Sequence, residues 1–253
     1  MTDSTPLVPR RFQLANVAFF GRTLGEYLGM FSLEMEALRG LRILDVASGP
    51  GSFVAEALAR GIDATGCDPM YAEEADMVAA QGKADIDSCR EQIRRNPGVL
   101  VYRDIDGFYA EKYAALETFV ADFRRRRGEG RYVAGSLPNL PFEDRRYDLV
   151  LSANFLFVYA PLADGGMHAG RAFGPEFHEA AFGELARVAG REVRVAGMHT
   201  WTQPPQPHPY RELVTRVLEH QGFEVECVRS DYDDGCRSGR GDDANDVLVA
   251  RRR

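Results

Sequence analysis

A short apolar segment that runs into a glycine-bearing turn is the feature that most constrains the fold of this chain. Branched apolar residues at 42–46 are suited to a buried strand, and Gly49 and Gly51 come closely after them. Glycine lets the backbone turn tightly and approach a ligand. From Phe53 onward the residue pattern is that of a helix start. The segment therefore predicts a buried parallel strand, a ligand-binding turn and a helix in succession.

The spacing of the glycines discriminates between nucleotide cofactors. A dinucleotide-binding turn carries three glycines in the pattern Gly-x-Gly-x-x-Gly, because the pyrophosphate rests on bare backbone at the helix N-terminus. The third of these glycines is missing here. Asp45 precedes the turn, and its carboxylate is unfavourable beside an anionic pyrophosphate. An acid at this position favours a cationic ligand.

Residues 45–51 resemble the first motif of class I S-adenosylmethionine-dependent methyltransferases, acid-x-Gly-x-Gly-x-Gly. Ala47 stands in place of the first glycine of that motif. The resemblance extends over residues 40–70 and 131–253. It implies an α/β fold with a doubly wound, mostly parallel seven-stranded sheet whose last strand is antiparallel. It also implies S-adenosyl-L-methionine as the cofactor.

A second acid lies at the end of the next predicted strand. Asp68 comes about 20 residues after the glycine turn, where a strand-end carboxylate can accept hydrogen bonds from both ribose hydroxyls. In the family that the chain resembles, the matching acid binds the ribose of the cofactor. The two residues after it, here Pro69 and Met70, flank the adenine.

Residues 131–154 are similar to the passage from the third to the fourth strand in the same family. The resemblance implies that a polar side chain there meets the adenine amino group. Ser136 occupies a position where an acid is common, and its hydroxyl can still bond the adenine edge. Ligands bind outside the carboxyl ends of strands in open α/β sheets, so we expect Asn154, Phe155 and Tyr159 near the sulfonium. Tyr159 is a candidate to orient or deprotonate a nucleophile.

The candidate site residues fall into two sets. The candidate catalytic residues are Tyr159, Asn154 and His199, the last of which comes after the fifth predicted strand. The candidate cofactor-binding residues are Asp45, Ala47, Gly49, Pro50, Gly51, Asp68, Pro69, Met70, Ser136, Leu137, Asn154 and Phe155. We predict no metal site, because cysteine and histidine do not occur at zinc-binding spacing.

We expect a single domain over residues 1–253. Two of its segments are additions to the core of such a fold. Apolar residues at helical spacing between 14 and 38 predict helices, which would form a substrate lid within residues 1–39 or simply cover the sheet. Residues 71–130 are too long for a plain crossover between strands. That insertion is either a cap over an acceptor pocket or a dimer surface. Its predicted helices are 73–81, 84–94 and 106–127.

Composition restricts the partners. Lys and Arg number 31 against 38 Asp and Glu, a net charge of −7 that disfavours a nucleic-acid partner. We expect the basic run 124–127 to lie at a helix C-terminus. The longest apolar stretch, 149–162, is too short to span a bilayer, and the N-terminal residues lack the pattern of a signal peptide. We expect a cytoplasmic protein with reduced, mostly buried cysteines.

The expected function is methyl transfer to a small natural-product or metabolic acceptor, at oxygen, nitrogen or carbon. S-adenosylmethionine carries an activated methyl group, so the protein mainly aligns a nucleophile and excludes water. A strong catalytic base is optional. Three alternatives stay open. The first is cyclisation of the cofactor with release of methylthioadenosine, as in azetidine-2-carboxylate synthases. The others are an NAD-dependent oxidoreductase and a non-catalytic cofactor-binding protein.

Overall fold

A computed structural model describes residues 14, 16–95, 102–202, 205–230, 232–233 and 246–253. Over these residues the chain forms six α-helices and seven strands. The helices are α1 (Leu24–Met30), α2 (Phe53–Ala59), α3 (Ala75–Arg95), α4 (Ile105–Arg126), α5 (Pro175–Val188) and α6 (Arg211–His220). The strands are β1 (Arg42–Val46), β2 (Asp63–Cys67), β3 (Tyr132–Val133), β4 (Tyr147–Ala153), β5 (Ala189–Ala196), β6 (Phe223–Arg229) and β7 (Asp246–Arg252).

The strands form a single sheet in the order β3-β2-β1-β4-β5-β7-β6. The pairs from β3 to β5 are parallel, and β7 pairs antiparallel with both β5 and β6. This confirms the predicted doubly wound, mostly parallel sheet with an antiparallel last strand. The chain leaves β1 towards β2 on one side and continues at β4 on the other. A crevice at the carboxyl ends of β1 and β4 is therefore the expected ligand site.

The sheet has an apolar core on each face. Successive side chains of a strand point to opposite faces, so Ile43 joins one core and Leu44 the other. Helices α1 to α4 contribute to the first core, with Phe53 and Phe119 fully buried there. Helices α5 and α6 cover the second face, where Phe182 is fully buried. These layers fix the positions of the strand ends, and thereby of the loops that leave them.

The predicted helix before β1 is wrong over its first half. Residues 16–23, here called the strap, contain no helix, and α1 begins only at Leu24. The start is set by a capping box, in which Thr23 Oγ1 accepts from Glu26 N at 3.1 Å and Glu26 Oε2 accepts from Thr23 N at 2.9 Å. Gly21 brings the strap against the glycine turn, since a Cβ there would lie 2.2 Å from Pro50 O.

In its described parts, residues 71–95 and 102–130, the insertion contains two α-helices rather than the three predicted. The predicted break after residue 81 is wrong, because α3 continues through Gly82. Glycine occurs there because α4 is close, and a Cβ at Gly82 would lie 2.7 Å from Leu116 Cδ1. The expectation that the basic run lies at a helix C-terminus is confirmed, since Arg124, Arg125 and Arg126 form the last turn of α4.

Two further expectations concern membrane-spanning helices and the burial of the cysteines. No helix in the described part of the chain is long and apolar enough to cross a membrane. The expectation of mostly buried cysteines holds for Cys67 but is wrong for Cys227, which lies on edge strand β6 and is exposed. Cys89 is half-buried, and Cys236 lies outside the described residues.

Candidate functional site

A cavity of about 600 Å³ lies at the carboxyl ends of the parallel strands. Its lining comes from the strap, the glycine turn, α3, the start of α4 and the loops after β2, β3, β4 and β5. This volume falls within the range of small-molecule sites. The doubly wound sheet thus places a large cavity where the topology predicts a ligand.

The glycine turn is held in an unusual backbone conformation. Ala47 and Gly49 both have positive φ, +55° and +57°. Glycine accepts this region freely, whereas alanine is strained there by its Cβ. Tyr71 fixes the turn from the other side, because its hydroxyl donates to Gly49 O at 2.6 Å. The hydroxyl of Tyr71 thus holds the backbone of the turn at Gly49.

Asp68 lies at the end of β2 and faces the cavity. Its Oδ2 accepts from Gly49 N at 3.0 Å and its Oδ1 accepts from Met70 N at 2.9 Å. Burial raises the pKa of this carboxyl to about 6, although the two backbone hydrogen bonds lower it. A carboxylate has about four acceptor sites, so about two remain for hydroxyl donors of a ligand.

Asp45 was predicted to contact a cofactor, and in the structure it does not line the cavity. Its carboxyl is fully buried and accepts from Ser48 Oγ at 2.6 Å. The hydroxyl of Tyr27 donates to both of its oxygens, at 3.0 and 2.9 Å. Burial raises the pKa of Asp45 to about 7 against the effect of these bonds. Asp45 thus joins the glycine turn to α1.

Pro50 and Gly51 are also absent from the lining, because the strap covers them. Gly21 packs directly on Pro50 O, and a Cβ at Gly51 would lie 3.0 Å from Arg22 O. Both residues are buried. These two residues let the strap approach the glycine turn closely.

The other predicted cofactor residues do line the cavity. Pro69 and Met70 come directly after Asp68, and Ser136 and Leu137 lie beyond β3 at the same edge of the sheet. The side chain of Met70 is half-buried, and Ser136 is exposed. The cavity lining further includes Ala47, Gly49, Asp68, Asn154 and Phe155.

Asn154 connects β4 to a cation that the sequence did not single out. Its backbone is left-handed, with φ of +49°. With its amide oxygen turned towards Arg22, Oδ1 accepts from Nη2 at 3.0 Å and from Nε at 3.1 Å. Arg22 Nη1 also donates to Glu26 Oε1 at 3.2 Å. Arg22 belongs to the strap, so its position depends on long-range packing that residue spacing does not reveal.

The two remaining candidate catalytic residues lie on the same cavity. Tyr159 is buried, and its hydroxyl accepts from Ala18 N at 2.9 Å. Burial raises the pKa of Tyr159 well above its usual value, so the phenol stays protonated at neutral pH and is unsuited to deprotonating a nucleophile. His199 is also buried, with Nε2 3.7 Å from Asp246 Oδ2.

Several residues that line the cavity were not predicted as site residues. The sequence placed them only within the predicted helices of the insertion. Asp85 and Cys89 come from α3, and Phe108 and Tyr109 come from the first turns of α4. Asp85 Oδ2 accepts from Phe19 N at 2.7 Å, which ties α3 to the strap. The insertion therefore contributes residues to the cavity wall.

No protein-family model matches the chain, but it is similar to a curated protein. An uncharacterized protein of Methanocaldococcus jannaschii is 27% identical over 190 residues, which are 74% of this chain and 80% of that protein.

Among solved structures, two similar ones are methyltransferases. Magnesium protoporphyrin IX methyltransferase from Synechocystis PCC 6803, crystallised with S-adenosylmethionine, is 16% identical, with 87% of this chain and 74% of that chain covered and a TM-score of 0.43. The 1,6-didemethyltoxoflavin-N1-methyltransferase of Burkholderia thailandensis is 14% identical, with 90% and 77% covered and a TM-score of 0.47. Similarity at this level assigns no activity to this chain, and function rests on the cavity itself.

Proposed function

We propose that the protein is an S-adenosylmethionine-dependent methyltransferase that acts on a small-molecule acceptor. The observation that carries the proposal is Asp68, a buried carboxylate fixed by Gly49 N and Met70 N on the wall of the cavity. An acid at this strand end in a doubly wound sheet suits the two ribose hydroxyls of a nucleoside. Its neighbours supply surfaces for the rest of the cofactor.

The lining residues fit the parts of S-adenosylmethionine in turn. Met70 and Leu137 would contact the adenine, and the hydroxyl of Ser136 would bond its edge. The ribose would lie on Asp68. Arg22 would bind the methionine carboxylate, because its guanidinium is orientated by Asn154 and Glu26 and lies on the cavity.

The same geometry disfavours a dinucleotide. The third glycine of the dinucleotide pattern would stand at residue 54, where Val54 is fully buried in the core on the α2 side. The carboxyls of Asp45 and Asp68 lie beneath and beside the turn. A pyrophosphate would meet the charge of Asp68 on the cavity wall, whereas a cationic sulfonium cofactor is attracted by it.

The main task of the protein in this reaction is to position the acceptor against the methyl group of the cofactor. The bound cofactor supplies an activated methyl group. Asn154, Phe155 and Tyr159 lie at the carboxyl end of β4, where they would place an acceptor against the sulfonium. The aromatic faces of Phe155 and Tyr159 would stabilise the sulfonium charge. The strap and α3 would exclude water from the reacting atoms.

The first test is calorimetric titration with S-adenosylhomocysteine. We expect Asp68→Ala to weaken binding by about a hundredfold, because two charge-assisted hydrogen bonds are lost. The matched control is Asp63→Ala, at the other end of β2, where the exposed Asp63 pairs with Arg131. That variant should bind as the wild type does. Wild-type affinity in a folded Asp68→Ala protein would overturn the proposal.

The second test follows the cofactor itself by mass spectrometry. Purified protein incubated with S-adenosylmethionine and no acceptor should leave the cofactor unchanged, and an acceptor screen should yield S-adenosylhomocysteine. Methylthioadenosine formed without an acceptor would instead establish cyclisation or lyase chemistry on the cofactor. In that case methyl transfer is rejected, while the cofactor assignment stands.

A further inference from the structure

One wall of the cavity is aromatic and is not used by the cofactor residues above. Phe20 of the strap stacks on Phe108 of α4, with ring centroids 6.1 Å apart and an interplanar angle of 24°. Tyr109 meets Phe108 edge-to-face at 5.3 Å. All three residues line the cavity, as does Trp201 after β5. The ammonium of Lys112 already lies 5.0 Å from the centroid of Phe108 and 6.0 Å from that of Phe20, so the aromatic faces that remain favour a flat ring.

Asp85 places a carboxylate on this wall. Its Oδ2 accepts from Phe19 N at 2.7 Å, and its Oδ1 accepts from Gln81 Nε2 at 2.9 Å. A carboxylate offers about four acceptor sites, so about two stay available to a ligand. No lysine or arginine of the described residues forms an ion pair with Asp85. A donor or cation from a ligand would fit these two acceptor sites.

The polar groups around Asp85 extend to the end of β4. The negative charge of Asp85 contributes to raising the pKa values of the Cys89 thiol and the Tyr159 hydroxyl, after the larger effect of burial. The Tyr159 hydroxyl accepts from Ala18 N at 2.9 Å and Asp85 Oδ2 accepts from Phe19 N at 2.7 Å, so both side chains bind adjacent residues of the strap. Tyr159 lies just beyond β4, so Asp85 faces the region where an acceptor would meet the sulfonium.

The charge of the cavity lining disfavours an anionic acceptor. Among its described lining residues the acids are Asp68, Asp85 and Asp246, and Arg22 is the one lysine or arginine. Arg22 is itself engaged by Glu26. A carboxylated or phosphorylated acceptor would therefore be repelled by the carboxylates of the cavity lining, because Arg22 already pairs with Glu26.

From these observations we infer that the acceptor is an arylalkylamine, cationic at neutral pH, with its ring against the Phe20–Phe108–Tyr109 wall and its ammonium group donating to Asp85. The inference rests on the proposed function, since it places the cofactor at the glycine turn. Ring stacking and a charge-assisted hydrogen bond act together in such a site. Asp85 is then the residue that selects the charge of the acceptor.

The experiment uses three indoles that share a ring and differ in charge. Tryptamine, tryptophol and indole-3-acetate are titrated into protein saturated with S-adenosylhomocysteine. We expect tryptamine to bind about tenfold more tightly than tryptophol, with indole-3-acetate weaker still, because only the amine pairs with Asp85. Equal affinity for the amine and the acid, or no binding by any of the three to the loaded protein, would overturn the inference.

Two variants separate Asp85 from a general effect of charge. Asp85→Asn retains an oxygen that can accept from Phe19 N, so we expect unchanged S-adenosylhomocysteine affinity and loss of the preference for tryptamine. Asp87→Asn is the matched control, because exposed Asp87 pairs with Lys83 and Tyr113. It should retain the preference. A preference that survives in Asp85→Asn contradicts the assignment.

The cofactor and the acceptor are tested separately in this design. Protein that does not bind S-adenosylhomocysteine at all contradicts the proposed function, whatever the indoles do. Protein that binds S-adenosylhomocysteine normally but does not rank the indoles by charge contradicts the acceptor inference alone. Tryptamine selection by protein that lacks cofactor affinity would establish an amine site and reject methyl transfer.

Discussion

At the scale of single residues, the glycine turn contains an alanine in a strained conformation. Ala47 has φ of +55°, where the cost for a residue with a Cβ is about 1–2 kcal/mol. We expect Ala47→Gly to raise the free energy of unfolding by about 0.5 kcal/mol, after the entropic cost of glycine is subtracted. Urea unfolding followed by circular dichroism measures this difference.

The reverse substitution is a matched control for that prediction. Gly49 has φ of +57°, and a Cβ there would meet its nearest neighbour at an ordinary 3.9 Å. Gly49→Ala should therefore lower the free energy of unfolding by about 1 kcal/mol through backbone strain alone. A stabilised Gly49→Ala protein would show that the turn does not adopt the left-handed conformation.

Asp68 connects cofactor binding to pH. Its pKa in the free protein is raised to about 6 by burial, and hydrogen bonds from ribose hydroxyls favour the charged form and lower it. Binding should therefore release protons near pH 6, and affinity should fall as the pH drops below that value. Calorimetry at about pH 6 in two buffers of different ionisation enthalpy detects the release. Asp68→Asn should release no proton from this site, and an identical buffer dependence in that variant would reject the assignment.

Sequence reasoning predicted some residues of the site and missed others for a physical reason. Asp68 and Gly49 are identifiable because their roles depend on position along one strand and its turn. Arg22 and Asp85 reach the cavity only because the strap crosses the glycine turn and α3 packs beside it. Asp45 has the expected place in the chain, but its carboxyl is turned towards Tyr27.

At the scale of elements, a buried ion pair joins α1 to α4. Lys112 is fully buried and donates to Glu26 Oε1, which Arg22 and the hydroxyl of Tyr232 also contact. Burial raises the pKa of Glu26, but the charges of Arg22 and Lys112 outweigh this effect and the pKa falls to about 2. Burial, with the charge of Arg22, lowers the pKa of Lys112 to about 8.

Removing the lysine should leave a buried carboxylate with less compensation. We expect Lys112→Met to lower the free energy of unfolding by about 3 kcal/mol, and the double change Glu26→Gln with Lys112→Met to recover most of that loss. The exposed pair of Lys83 with Asp87 is the control, and Lys83→Met should change stability by about 0.5 kcal/mol or less. Equal losses in the single and double variants would show that Lys112 acts through packing alone.

Strands were predictable from the sequence more readily than the flanking segments. The apolar runs of β1 and β4 can be satisfied only inside a sheet, and both lie where the pattern placed them. The strap has aromatic residues at helical spacing, yet Phe19 packs edge-to-face on Phe119 and Phe20 stacks on Phe108. Tertiary contacts of this kind override a local period, and only the fold reveals them.

At the scale of the whole molecule, the cavity is assembled from segments that are distant in sequence. Ligand binding should therefore slow amide hydrogen exchange together in the strap, in residues 81–93 and in residues 199–201. Exchange mass spectrometry with and without S-adenosylhomocysteine tests this. Residues 223–229 of the edge strand β6 do not line the cavity and should exchange at the same rate in both states. If ligand binding slows amide exchange only in the glycine turn, the prediction that all these segments bind the ligand together is wrong.

The position of β7 has a consequence for how the molecule is made. β7 lies between β5 and β6, although both precede it along the chain. During synthesis on the ribosome, β5 therefore emerges long before the neighbour that will cover its free edge, and β6 has no neighbour at all. Until residues 246–252 have left the exit tunnel, this side of the sheet exposes unpaired backbone groups to chaperones or to other nascent chains.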